Sequence, residues 1–216
     1  MQHHVYDFGT LTPTERYKLL CGIVVPRPIA LVTSLGENGQ VNAAPFSFFN
    51  VFSEEPAQIV LGFQHQAPGH TKDTTRNLAR TGTFVINMVD ERLAETMNLC
   101  ATDFPTDVSE IDALGIATAP CLHVPVPRIA AAPFALECRH TVSLAFNASR
   151  EILIGEVLAI HGRTDLTDVR TMYTDARRYR PVGRLAGMGY CRQGDVFEMP
   201  RVSYAEWLRG RAASGK

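Results

Sequence analysis

Runs of β-forming residues broken by turns, with no regular alternation of strand and helix, constrain this chain more than any other feature. The first run, Pro28–Ser34 (PIALVTS), ends at Gly36-Glu37-Asn38-Gly39, and an Asn-Gly pair after an apolar run is a strong hairpin signal. Further strands are expected over Ser47–Phe52, Gln58–Phe63, Thr83–Val89, Leu136–Ala145 and Ile152–His161. Helices are few. Thr12-Pro13-Thr14-Glu15 has a Thr cap, Pro at the first helical position and Glu to close a capping box, which predicts a short helix over Arg16–Leu20. Others are expected over Lys72–Arg80 and Glu91–Leu99, with a short one near Ala205–Leu208 in a loop-rich last fifth. Phe104–Pro133 is proline-rich and reads as a long irregular excursion over the surface. Many antiparallel strands and few helices predict a mainly β fold, closed or nearly closed into a barrel. No GxGxxG follows a strand, which argues against a Rossmann site.

The bulk properties narrow the function. At 216 residues the chain suits a single domain over 1–216, with an N-terminal arm to about residue 16 and a C-terminal tail from about 200. A chain of this size buries roughly 70% of its unfolded surface and needs no metal or disulfide staple. The net charge of −1 argues against nucleic acid as a partner, whose grip would need a basic patch. The arginines between Arg177 and Arg201 are interleaved with Tyr179, Pro181 and Gly183, as in a loop gripping one anion. No apolar run is long enough to span a bilayer, so no membrane partner is expected. Five cysteines without CxxC spacing suggest buried thiols rather than a metal or redox motif. The N-terminus has no charged start followed by an apolar core, and a cytoplasmic location is expected.

Three stretches carry chemistry, each with a plainer alternative. Lys72-Asp73-Thr74-Thr75-Arg76-Asn77 opens a predicted helix. Asp73 suits the helix dipole, but a lysine there is misplaced by about 0.3–1 kcal/mol. A phosphate on the free backbone N–H groups would reverse that sign, with Thr71 and Thr74 as extra donors. The alternative is a capped helix with a solvated lysine. In Gly39–Asn50, Ala43 and Ala44 would let backbone approach the face of a flat heteroaromatic ring, while Asn42, Ser47 and Asn50 offer hydrogen bonds to ring carbonyls or a ribityl chain. The alternative is a strand pair with core phenylalanines. In Pro181–Tyr190, Gly183, Gly187 and Gly189 imply unusual backbone or close contact. Arg184 could there pair with an anion and Tyr190 stack; the alternative is a flexible surface loop.

Taken in order, these stretches resemble the flavin reductase-like, FMN-binding split-barrel family, in its longer-chain branch. The resemblance runs from about Tyr17 to Met199. It rests on Pro26-Arg27-Pro28-Ile29-Ala30, Asn42–Phe49, Lys72-Asp73-Thr74 with Asn77, Glu137-Cys138, Gly155-Glu156-Val157 and Gly183-Arg184. It implies an antiparallel, Greek-key-like split barrel binding FMN. The Arg27 strand and the Asn42 segment would line the flavin, with Thr33, Asn42, Ala43, Ala44 and Ser47 against ring or ribityl. Lys72, Asp73, Thr74 and Asn77 would sit by the phosphate, and Arg184 and Tyr190 would approach the flavin or a second substrate. It also implies a homodimer with FMN near the interface. In many short-chain members a His precedes the strand that corresponds to Ile152–Val157 and is associated with nicotinamide; here Ser149-Arg150-Glu151 stands there, with His140 and His161 on neighbouring predicted strands.

The activity implied is an oxidoreductase in which FMN takes hydride from NAD(P)H and passes electrons on. No catalytic acid–base pair is expected, because the chemistry belongs to the flavin. The alternative is a non-enzymatic FMN carrier of flavoredoxin type, exchanging electrons with an acceptor protein. A hydrolase or metal centre built on His3, His4, His65 and His70 is disfavoured because their spacings match no ligand motif. If Lys72 contacts phosphate, Lys72→Ala weakens FMN by about 1.5–3 kcal/mol, roughly tenfold to hundredfold. Titration with riboflavin, which lacks the phosphate, checks this: equal losses for both flavins would refute the contact.

Overall fold

The computed structural model describes residues 1–65, 73–105 and 107–213. Helix α1 (Pro13–Ile23) starts at the expected capping box: the Thr12 hydroxyl accepts from the Glu15 N–H, and the Glu15 carboxylate accepts from the Thr12 N–H. It runs beyond the predicted Leu20, to Ile23. Then come strands β1 (Ala30–Leu35), β2 (Val41–Phe46), β3 (Phe49–Glu54) and β4 (Ala57–Gln64), helix α2 (Asp73–Thr81) and strand β5 (Thr83–Met88). Helices α3 (Ala94–Leu99) and α4 (Glu110–Ala113) follow, and the short strands β6 (Thr118–Ala119) and β7 (Arg128–Ile129). The long strands β8 (Phe134–Asn147) and β9 (Arg150–Gly162) complete the main sheet. Beyond them lie β10 (Thr167–Asp168), β11 (Tyr173–Thr174), α5 (Ala176–Tyr179), β12 (Val182–Arg184), β13 (Tyr190–Arg192) and α6 (Tyr204–Ala213).

The main sheet has seven antiparallel strands in the order β2-β1-β5-β8-β9-β4-β3. Its two outermost strands, β2 and β3, are joined by Ser47 and Phe48 alone. A two-residue link cannot cross a flat sheet of this width, so the sheet must curl until its edges meet. At the seam the Gly62 N–H donates to the Phe48 carbonyl at 2.7 Å, and Phe46 packs edge-on against Phe63 with centroids 4.8 Å apart. A Cβ on Gly62 would lie 2.9 Å from the Cβ of Phe48, which accounts for glycine there. The result is a split β-barrel.

Side chains fill the barrel. Val32, Phe46, Phe49, Leu61, Phe63, Phe84, Ile86 and Leu153 form its core, and Leu78 of α2 joins them. A second cluster lies outside, where Ile29, Leu31 and Ala43 meet Val89, Leu93, Met97, Ile111 and Ile129. β1 is thus buried on both faces, which explains why Ile29–Val32 is an unbroken apolar run rather than an alternating one.

Three departures from the sequence expectations have physical causes. Val41–Phe46 is a strand, and β3 begins at Phe49 rather than Ser47. Pro45 reads against a strand, yet β2 is an edge strand, where a missing N–H costs no ladder bond. Helix α3 begins at Ala94 because the Asp90 carboxylate captures the N–H groups of Arg92 and Leu93 in a preceding turn. The excursion over 104–133 is irregular as expected but holds the short α4, β6 and β7. The Asn38-Gly39 hairpin forms as read, with Gly39 at φ +76 and the Gly36 N–H donating to Gln40 at 2.8 Å. No helix among the described residues is long and apolar enough to cross a membrane.

Candidate functional site

One cavity lies beside the start of β2, and another lies between α3 and the β12–β13 hairpin. The first, of about 620 Å³, is bounded by the β1–β2 hairpin, the outer face of α2 and the start of α4. Asn42, Asp73 and Asn77 line it, three of the residues singled out from the sequence. Behind them runs a buried polar network. The Asn42 amide donates to both Glu110 carboxylate oxygens at 3.0 and 2.9 Å, and the Ala43 N–H donates to the same carboxylate at 2.9 Å. The Asn42 carbonyl accepts from the Thr74 hydroxyl at 2.9 Å and from Ser34 at 3.4 Å; the Asn77 amide donates to Ser34 at 3.1 Å. Asp73 pairs with Arg76 on the cavity rim. Thr75, in the first turn of α2, has a buried hydroxyl without a partner among the described residues. Lys72 and Thr71 lie outside the described residues.

From Asn42 the strand runs about 17 Å to Ser47, at 3.3–3.4 Å per residue. Ala43 is buried, Ala44 and Ser47 half-buried, and the exposed Asn50 accepts only from its neighbour Val51. At this far end Arg27 lies 6.0 Å from the Phe48 ring. Its guanidinium is buried and donates to the carbonyls of Cys21, Val24 and Leu185, so it clamps the end of α1 to the 183–189 loop. Arg27 and Arg184 also exchange backbone hydrogen bonds at 3.0 and 2.9 Å. Arg184 stacks over Tyr190 at 4.5 Å, and both line the second cavity, of about 580 Å³, with Asn98 and Met188. A Cβ on Gly183 would lie 2.5 Å from Pro26, so that glycine allows close packing; Gly187 has φ +57.

Thr33 sits apart from both cavities. It is fully buried and its hydroxyl donates to the Pro127 carbonyl, while Asn87 reaches the Leu31 carbonyl and Thr33 and accepts from the Ile129 N–H. These bonds stitch the 104–133 excursion to the barrel. Sequence reasoning missed Ser34 and Glu110. No local signal marks Glu110, whose partner Asn42 lies 68 residues away.

A third buried polar group is Glu137. It accepts from the N–H groups of Leu122, His123 and Val124 at 2.7, 2.6 and 3.2 Å and faces His161 Nε2 at 2.5 Å. Cys121 completes a Cys–Glu–His group whose ligand atoms lie within 4.8 Å of one another, but the carboxylate's acceptor positions are already taken. Burial alone would raise the pKa of Glu137; the Leu122 and His123 N–H groups and the His161 ring outweigh it and hold the carboxyl down at about 2. His140 instead contacts Ser143, and His65 lies 3.6 Å from Glu151. All five cysteines are free thiols; burial pushes Cys100 up to about 12 and Cys121 to about 11, so neither is an ionised nucleophile near neutral pH.

Comparison with known proteins shows the family and the fold. The flavin reductase like domain matches residues 23–183. An uncharacterised protein of Deinococcus radiodurans is 41% identical, over 96% of this chain and 93% of its own. The crystal structure of the 2-nitrobenzoate 2-nitroreductase of Pseudomonas fluorescens is 38% identical, with a TM-score of 0.86 over 93% of this chain and 98% of that one. Nitrilotriacetate monooxygenase component B from Bacillus cereus is 30% identical, with a TM-score of 0.87 over 92% and 100%. The flavoredoxin of Desulfovibrio vulgaris, at 17% identity and a TM-score of 0.72 over 91% and 97%, shares the fold.

The Glu137 anchor makes a pH prediction. Its pKa lies below the ordinary 4.5, so its stabilisation is complete above that value and is lost as pH falls towards about 2. Glu137→Gln lowers stability at pH 7 by about 1–3 kcal/mol, because backbone N–H groups lose a charged acceptor. The variant's urea midpoint also varies less than the wild type's between those two pH values. Equal slopes would show that another group governs acid stability.

Proposed function

Because the chain belongs to the flavin reductase-like family, we propose that it is an FMN-dependent oxidoreductase that takes hydride from NAD(P)H, working as a single flavin-binding unit. The observation that carries this reading is the layout of β2: a polar cavity at one end, small residues between, and an aromatic and guanidinium cluster at the other. That run suits a long ligand with an anionic tail and a flat head. The tail would lie at the N-terminal end of α2, where the helix dipole favours an anion and the Thr75 hydroxyl lacks a partner among the described residues. Lys72, Asp73, Thr74 and Asn77 would surround it. Ala43 and Ala44 would allow backbone against the ring, Ser47 and Asn50 would offer polar contacts, and Arg184 and Tyr190 would face the second substrate. Arg27 and Thr33 would support the site from behind.

Bound FMN supplies the two-electron chemistry, and the protein supplies binding, orientation and surroundings. No catalytic acid or base is assigned. The tasks of this chain are to hold the tail on α2, to present a wall of fixed amides, and to leave the second cavity open for the partner substrate.

A flavoredoxin-type carrier is the second reading. It is favoured by Ser149-Arg150-Glu151 at the nicotinamide-associated place, where the nearby His65 is engaged with Glu151. An absorbance spectrum of the purified protein, repeated anaerobically with NADH and then NADPH, separates the two. A flavin spectrum that bleaches with either nucleotide supports the reductase. Bleaching by dithionite alone favours the carrier with an acceptor protein. A colourless protein that also fails to take up FMN refutes both.

We further propose a cytoplasmic homodimer. Beyond His140, whose N–H donates to the Gly82 carbonyl, β8 pairs among the described residues only with β9 and carries Val142, Leu144 and Phe146 exposed at alternate positions. An unpaired apolar edge of this kind calls for a partner surface. Sedimentation equilibrium is expected to give a dimer for the wild type and a monomer for Phe146→Asp. A monomeric wild type would rule the dimer out.

A further inference from the structure

Two amides of the first cavity's wall, Asn42 and Asn77, belong to one hydrogen-bonded chain that begins at Glu110. Glu110 is buried in the first turn of α4, at 9% exposure. A buried carboxylate is costly unless its hydrogen bonds are made. Docking α4 on the barrel does not need one, because the Ser109 hydroxyl already donates to the Val41 carbonyl at 2.7 Å. The carboxylate's partners are instead the Asn42 amide and the Ala43 N–H.

A carboxylate only accepts, so the Asn42 side chain has a single orientation: its nitrogen to Glu110, its oxygen towards Thr74 and Ser34. Those two hydroxyls then have a fixed acceptor, and Ser34 in turn receives the Asn77 amide. Without Glu110 the Asn42 amide is free to turn over, and the hydroxyls lose the acceptor that aims them. The order runs from Glu110 to Asn42, then to Thr74, Ser34 and Asn77, and it spans four separate elements.

We propose that Glu110 is the positioning residue of this site, orienting the Asn42 amide and through it the polar wall that meets the bound flavin. This rests on the flavin-binding reading above. Glu110 touches no ligand itself.

The test exchanges the two groups. Asn42→Asp sets two carboxylates face to face, and Glu110→Gln removes the acceptor charge. Together, Asn42→Asp with Glu110→Gln restores an amide–carboxylate pair in reverse. Affinities for FMN and for riboflavin are read from the visible flavin spectrum, and thermal midpoints from the flavin-free proteins. Asn42→Asp is expected to weaken both flavins roughly tenfold or more, and the exchanged pair to recover most of that loss. Riboflavin separates this effect from repulsion of the phosphate. If Glu110→Gln fails to fold, Asn42→Asp and the exchanged pair carry the comparison. An exchanged pair no better than Asn42→Asp overturns the proposal. So does recovery of the midpoints while flavin affinity is indifferent to every variant, since Glu110 would then serve the fold alone. A wild type that binds neither flavin removes the flavin reading itself, and the proposal with it, while the midpoints still report the Glu110–Asn42 pair.

Discussion

Two residues, Ser47 and Phe48, join strands that lie at opposite edges of a seven-stranded sheet, and much of the remaining architecture answers to that link. The sheet must close, which turns one face inward as a packed core of phenylalanines and branched residues. The seam is tight enough that Gly62 tolerates no Cβ beside Phe48. Closure also carries the end of β2 to Arg27, whose guanidinium binds three carbonyls drawn from α1 and the glycine-rich loop. The cluster of Phe48, Arg27, Arg184 and Tyr190 is therefore a product of the seam.

The outer layer is attached by polar groups more than by regular structure. Asn87, Glu137 and Glu110 are each buried, and each takes backbone or side-chain donors across the boundary between barrel and excursion. A buried polar group left unpaired costs about 1–3 kcal/mol, so these contacts are demanding as well as stabilising. They hold a proline-rich segment with little secondary structure in one arrangement. Apolar contacts from Ile111 and Ile129 add to the same layer. The result is a rigid wall behind β1 and β2, the elements on which the candidate site is built.

Several features of this arrangement were written locally. The capping box before α1, the Asn38-Gly39 hairpin and the β-forming run of β1 each depend on neighbours within a few residues, and each forms as read. Asn42, Thr74 and Asn77, chosen for their hydrogen-bonding chemistry, do come together. Residues acting at long range were less legible. Thr33 and Arg27 have the right chemistry for a ligand, and the Thr33 hydroxyl and the terminal nitrogens of Arg27 also bond the carbonyls of Pro127, Cys21, Val24 and Leu185.

The sequence by itself determined the class of the fold and the family, because β-forming runs, turn residues and short motifs are local properties of the chain. Tertiary structure decided that β2 is a strand despite Pro45, since only its place at an edge makes the missing N–H harmless. It likewise decided that Glu110 governs Asn42 across 68 residues. A hydrogen bond depends on separation in space, and the docking of α4 beside β2 brings those two side chains within 3 Å of each other.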